Sequence, residues 1–152
     1  MGKKYFTLLF IIFCANIKAK NKECNFDLWG YQITIEIPEN AKVQHNPYGE
    51  GKFILIYENN LLSDVPKEMP PLIILFSGGL QKLPLINTDE ITVYYEKDTS
   101  QQKIIYGEKN NLYFKEIEDK ETHVRLCYQY VPKKKLKQYN RILKKAKIKR
   151  KQ

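Results

Sequence analysis

Hydrophobic and polar positions alternate with period two through most of this chain, and that alternation predicts strands. Ile33, Ile35 and Ile37 interleave with Gln32, Thr34 and Glu36. One face of that segment is apolar and the other polar, as in an antiparallel strand that covers a core on one side. Trp29-Gly30-Tyr31 opens it, Pro38-Glu39-Asn40 closes it, and residues 20–27 read as a polar lead-in. The stretch 44–51, QHNPYGEG, carries a proline and two glycines and reads as a turn or exposed loop. Residues 52–57 (KFILIY) and 72–76 (LIILF) are apolar at nearly every position, which suits strands covered on both faces. Between them, residues 58–71 form a long connection containing Pro66, Pro70 and Pro71. Connections of that length often carry function.

Downstream, residues 91–95 (ITVYY) predict a fourth strand, and 103–106 and 111–117 two more around a turn at 107–110. Leu112, Phe114 and Glu116 fall on one face of the latter. The longest strand signal is 122–131. There Val124, Leu126, Tyr128 and Tyr130 share one face, and His123, Arg125, Cys127 and Gln129 the other. Pro132 permits a helix start. Leu136, Tyr139, Ile142, Leu143 and Ala146 then recur at helical spacing, with Lys and Arg on the opposite face. Residues 148–152 read as a frayed end. The pattern predicts an α+β fold, an antiparallel sheet of about six to seven strands with one C-terminal amphipathic helix packed on one face.

Residues 1–19 stand apart from this pattern. Lys3 and Lys4 precede the apolar run YFTLLFIIFCA, and Asn16-Ile17-Lys18-Ala19 then turns polar and ends on a small residue. That order is the layout of a secretory signal peptide, and the run is too short for the ~20 residues of a membrane-spanning helix. The expected organisation is a signal peptide at 1–19, a β-rich body at 20–131, and a basic helix and tail of the same domain at 132–152. The mature chain then starts at Lys20 and is exported, to the periplasm or beyond. The alternative is a lipidated N-terminal Cys14, although such signals carry a small residue where Phe13 stands. Cys24 and Cys127 remain after cleavage, and two cysteines in an oxidising compartment suggest one disulfide.

Charge is divided unevenly. The formal net charge is +9, yet residues 20–132 hold 12 Lys/Arg against 17 Asp/Glu, while residues 133–152 hold 11 Lys/Arg and no acid. A mildly acidic body ends in a strongly basic tail. Lys133, Lys134, Lys135, Lys137, Arg141, Lys144, Lys145 and Lys147 are therefore candidate anion-binding residues. An acidic protein partner or an anionic surface suits them. Nucleic acid is not the expected partner, and the inference that high net charge draws toward nucleic acid or an anionic surface applies only to the tail.

Strands in succession closed by a helix, with an early strand ending in Ile37-Pro38, resemble small exported α+β domains of the PsbP-like type. The resemblance covers most of the mature chain. It implies an accessory or binding role rather than catalysis, and it carries over no functional residue.

Residue chemistry points the same way. His45 and His123 lie 78 residues apart, and neither has a metal-ligand neighbour at a useful spacing. Ser77-Gly78-Gly79 follows an apolar strand, but a nucleophile elbow needs glycine where Leu75 stands. On one strand face His123 and Cys127 would be about 13 Å apart, too far for a thiol–imidazole pair. Gly49-Glu50-Gly51 lacks the third glycine and following helix of a phosphate loop. Asp89-Glu90 reads as solvated charge. Tyr94, Tyr95, Tyr106, Tyr113, Tyr128 and Tyr130 all fall on predicted strands, and a row of exposed tyrosines could bind sugar, peptide or bases. No cofactor, metal or catalytic set is expected. The expected function is a non-enzymatic exported domain of the bacterial envelope with a binding or accessory role. The alternatives are an enzyme with its site in the 58–71 loop, or attachment to a polyanion or membrane surface through the basic helix.

Overall fold

A computed structural model describes residues 20–46, 51–58, 70–78 and 84–152. The signal segment 1–19 with Cys14, the Gly49-Glu50 turn and all but the ends of the 58–71 connection lie outside the described residues. The described strands are β1 (Asn21–Leu28), β2 (Tyr31–Pro38), β3 (Ala41–Asn46), β4 (Gly51–Glu58), β5 (Leu72–Gly78), β6 (Thr92–Asp98), β7 (Gln102–Lys109), β8 (Leu112–Asp119), β9 (Val124–Pro132) and β10 (Lys147–Arg150). A helix, α1 (Leu136–Lys145), follows a short 3-10 turn at Lys133–Lys135.

The strands form two sheets, and every pairing is antiparallel. The smaller has the order β1-β2-β10, the larger β3-β4-β5-β9-β8-β7-β6. The smaller sheet and α1 together cover one face of the larger. Ile33, Ile35 and Ile37 of β2 meet Ile54, Ile56, Ile73, Leu75, Val124, Leu126 and Tyr128 of the larger sheet, with Tyr139, Ile142 and Leu143 of α1 in the same core. Period-two alternation in β2 and β4 supplies inward residues from each sheet, so the two sheets and the helix stripe close a dry interior.

A second, smaller core lies on the opposite face. β5 sits mid-sheet and β6 at the edge, so the chain between them must cross the sheet. The described part of that crossover, residues 84–91, lays Leu85, Ile86 and Ile91 over Ile74, Phe114 and Cys127. Glu116, only 3% exposed, holds it there: its Oε2 accepts from the backbone N–H of Leu85 at 2.7 Å and of Ile86 at 3.1 Å. Arg125, 5% exposed, sits 3.9 Å from Glu116 and 3.6 Å from Glu118.

The fold is mostly β rather than α+β, since the described residues form two antiparallel sheets, the larger of seven strands, and one helix. Residues 21–28 form β1 instead of a polar lead-in, with Phe26 and Leu28 buried. Trp29-Gly30 is the two-residue turn between β1 and β2 rather than a strand opening, and Gly30 supplies its positive φ of 76°. β3 occupies 41–46, where a loop was expected to begin at Gln44. β7 continues through Gly107, and the turn is Asn110-Asn111, both at positive φ. Gly107 is required there: a Cβ would stand 2.6 Å from the Thr92 carbonyl oxygen. Residues 147–150 are not frayed but pair with β2 as β10. Tyr130 leaves the face of Tyr128, because a bulge opposite Tyr113–Lys115 and its own φ of 57° turn it to the second core.

Candidate functional site: the basic C-terminal face

The amphipathic pattern of α1 is realised in full. Tyr139, Ile142 and Leu143 are buried against β2 and β9, which leaves the cationic side outward. Polar contacts pin the helix at defined points. The Tyr139 hydroxyl donates to Glu58 Oε1 at 2.8 Å, and Lys135 is ion-paired to Glu58 Oε2. Burial pushes the Tyr139 phenol well above its ordinary range. Asn140 Oδ1 accepts from the Tyr128 hydroxyl and from Lys115 Nζ, each at 3.2 Å, and burial lowers the Lys115 ammonium. Lys144 and Lys145 lie in the last turn, where positive charge complements the helix dipole.

The eight anticipated anion-binding residues divide into two groups. Lys135 is half-buried and bound to Glu58, and Lys145 pairs with Glu36 Oε1 at 3.1 Å, so body carboxylates already hold these two cations. The Lys145 hydrogen bond holds the Glu36 carboxyl below its usual range. Lys133, Lys134, Lys137, Arg141, Lys144 and Lys147 are exposed, and none of them is ion-paired among the described residues. Lys137, Arg141 and Lys144 follow at spacings of four and three on α1, which aligns them along its outside, and Lys134 precedes them in the 3-10 turn. β10 continues the positive surface. Ile148 faces the core opposite Ile33, so Lys147 and Lys149 point outward beside Thr34 and Gln32. Sequence reasoning missed Lys149 and Arg150 as members of an ordered strand, because KIKR carries a single apolar residue.

β10 ends beside the β1–β2 turn. The backbone N–H of Lys151 donates to the Gly30 carbonyl at 2.9 Å, and Lys151 Nζ reaches Asp27 at 3.1 Å. Trp29 occupies that turn. Its carbonyl accepts from Ser77 Oγ at 3.2 Å, while the residue stays 60% exposed.

The other anticipated features are scattered. Cys24 and Cys127 do not form the expected disulfide. Both are free: Cys24 lies opposite Ile35 in the smaller sheet and packs on the first core, while Cys127 belongs to the second, across the larger sheet. Complete burial raises the Cys127 thiol well above its ordinary value, so it is protonated and unreactive. Among the described residues no cluster of His, Cys, Asp and Glu could hold a metal ion, and no helix is long and apolar enough to cross a membrane. Tyr128 is core and Tyr130 half-buried. Tyr94, Tyr106 and Tyr113 form a row across β6, β7 and β8, with ring centroids 6.1 Å apart at each step. The Tyr94 hydroxyl donates to Glu108 at 2.6 Å, and that bond lowers the Glu108 carboxyl.

A concavity among the described residues is large enough for a small molecule. A cleft of about 350 Å³ opens beside the crossover, floored by Leu85, Ile91, Leu112, Phe114 and Tyr130. Phe114 and Tyr130 meet edge to face at 5.1 Å. The Glu90–Lys109 ion pair, at 3.3 Å, stands on its rim, and Gln129 is held by its donation to the Leu85 carbonyl at 3.2 Å.

No protein-family model, curated protein or solved structure matches this chain.

Proposed function

We propose that the chain is an exported, non-enzymatic domain of the bacterial envelope, a binding or accessory module that docks on an anionic surface through its C-terminal cations. One observation carries this reading: α1 commits its whole apolar stripe to the core while Lys134, Lys137, Arg141 and Lys144 remain exposed outside any ion pair among the described residues. A helix so docked presents charge without inserting, and aligned cations sum their attraction for an anionic plane. Two further points support the reading. β1 begins at Asn21, so cleavage after Ala19 leaves the first strand whole. The resemblance of the element order in the sequence to PsbP-like domains implies an accessory or binding role.

Reversing these four charges tests the proposal. The quadruple variant Lys134→Glu, Lys137→Glu, Arg141→Glu and Lys144→Glu should fold like the parent. It should lose about a hundredfold or more in affinity for immobilised polyphosphate and for phosphatidylglycerol vesicles, at about 1 kcal/mol per cation near an anionic surface. Undiminished affinity in the folded variant refutes the docking face. Mass spectrometry of the exported protein should find Lys20 at the N-terminus; a lipidated Cys14 or an intact Met1 refutes the processing.

A second reading concerns the cleft. Its aromatic and aliphatic floor with a neutralised rim suits a small apolar ligand, and its volume is at the lower end of ligand sites. Aromatic and short-chain fragments titrated by NMR should shift Ile91, Leu112, Phe114 and Tyr130 together. Shifts dispersed over the surface contradict a site.

A further inference from the structure

Trp29 is the chain's single tryptophan, and it stands 60% exposed in a two-residue turn that needs only Gly30 for its backbone. Tryptophan is a costly residue to leave in water, since its ring normally covers a large apolar area. The turn is already held without it: Ser77 bonds the Trp29 carbonyl, Lys151 bonds the Gly30 carbonyl, and β1 and β2 pair up to Leu28 and Tyr31. The indole is therefore free to serve a contact outside the molecule. Its surroundings define that contact. β10 runs toward this turn, with Arg150 opposite Tyr31 and Lys149 opposite Gln32 on alternate faces of the strand, both exposed, and Lys151 at its end paired to Asp27. An exposed amphipathic ring at the end of a strand that carries exposed Lys and Arg matches the boundary of an anionic bilayer. There the indole lies among headgroups and upper acyl chains while the cations meet phosphates. A soluble polyanion would engage the cations and leave the ring no apolar medium.

We propose that Trp29, with Lys149 and Arg150, forms an interfacial anchor that seats this domain on an anionic lipid bilayer. The proposal rests on the anionic-surface reading and narrows it to lipid. The indole enters only the interfacial layer, because the turn's backbone remains bound to the two sheets. Seating it places β10 against the lipid and leaves the aromatic cleft, on the opposite face of the larger sheet, accessible to a second ligand.

Because Trp29 is unique, tryptophan emission reports on it alone. Mature protein titrated with vesicles of equimolar phosphatidylglycerol and phosphatidylcholine should show a blue shift and quenching by brominated acyl chains. Polyphosphate should give neither. Trp29→Ala should weaken vesicle binding about tenfold, as expected for losing part of a buried indole. Trp29→Phe should recover part of it, and both should bind polyphosphate like the parent. Vesicle binding with unshifted, unquenched emission and an unchanged Trp29→Ala affinity overturns the anchor and leaves the anionic-surface reading standing. Failure of the parent to bind either vesicles or polyphosphate overturns that reading itself.

Discussion

Glu58 and Glu116 are carboxylates placed in nearly dry surroundings, 7% and 3% exposed, and each holds one covering element onto the larger sheet. Glu58 grips α1 through Tyr139 and Lys135, and Glu116 grips the crossover through two backbone N–H groups. Tyr139→Phe removes one donor from a buried carboxylate and should destabilise the fold by about 2 kcal/mol in urea unfolding, because bonds to charged groups exceed neutral ones. Glu116 carries a pH signature. Burial raises its folded pKa above the unfolded value, so its contribution is most favourable at low pH and is lost as pH rises through the folded value. Glu116→Gln abolishes that loss. The stability of the variant relative to the parent should therefore move in the variant's favour between about pH 4 and pH 7. A constant gap across that range contradicts the assignment. Glu36 runs oppositely: its depressed folded pKa gives stability that is present above the unfolded value and lost as pH falls. None of these pairings was legible in the sequence, since Lys135 and Glu58 lie 77 positions apart and Lys145 and Glu36 lie 109 apart.

At the scale of elements, long alternating runs declared themselves. β2, β4, β5, β8, β9 and α1 all fall where periodicity placed them. The strands that escaped were those whose stability is lent by neighbours. β1 does alternate Cys24, Phe26 and Leu28, but its polar first half masks the period. β10 has only Ile148 facing inward, and it exists because β2 offers an open edge beside the end of α1. Ile148→Ala should consequently cost about 1 kcal/mol despite its place near the chain end. Hydrogen exchange should quicken across the β10 pairing of β2. A tail that frayed would show neither change. The bulge in β9 explains the one misplaced face: alternation assigns Tyr130 with Tyr128, and a single extra residue reverses it. Gly107→Ala tests the tight β6–β7 approach. With the Thr92 carbonyl in the way, β6 must shift, and the variant should unfold at lower denaturant.

Across the whole molecule, the segregation of charge was the most legible functional feature, because counting residues along the chain requires no fold. What folding adds is selection. Two of the eight anticipated cations are taken by body carboxylates, six stay outward, and β10 adds Lys149 and Arg150 beside an exposed Trp29. The disulfide was a compartment argument, and a seven-stranded sheet between the two thiols defeats it. Deleting the tail would be a poor probe of binding, since it also strips β10 from β2. The direct measurement is vesicle affinity of the mature chain, with and without the four glutamate substitutions, across a series of salt concentrations. Screening shortens from about 10 Å at 0.1 M to about 3 Å at 1 M salt. The parent should bind phosphatidylglycerol vesicles tightly at low salt and lose that affinity steeply as salt rises, while the variant binds weakly throughout. Parent binding that ignores salt, or a folded variant that binds as well as the parent, would contradict the account.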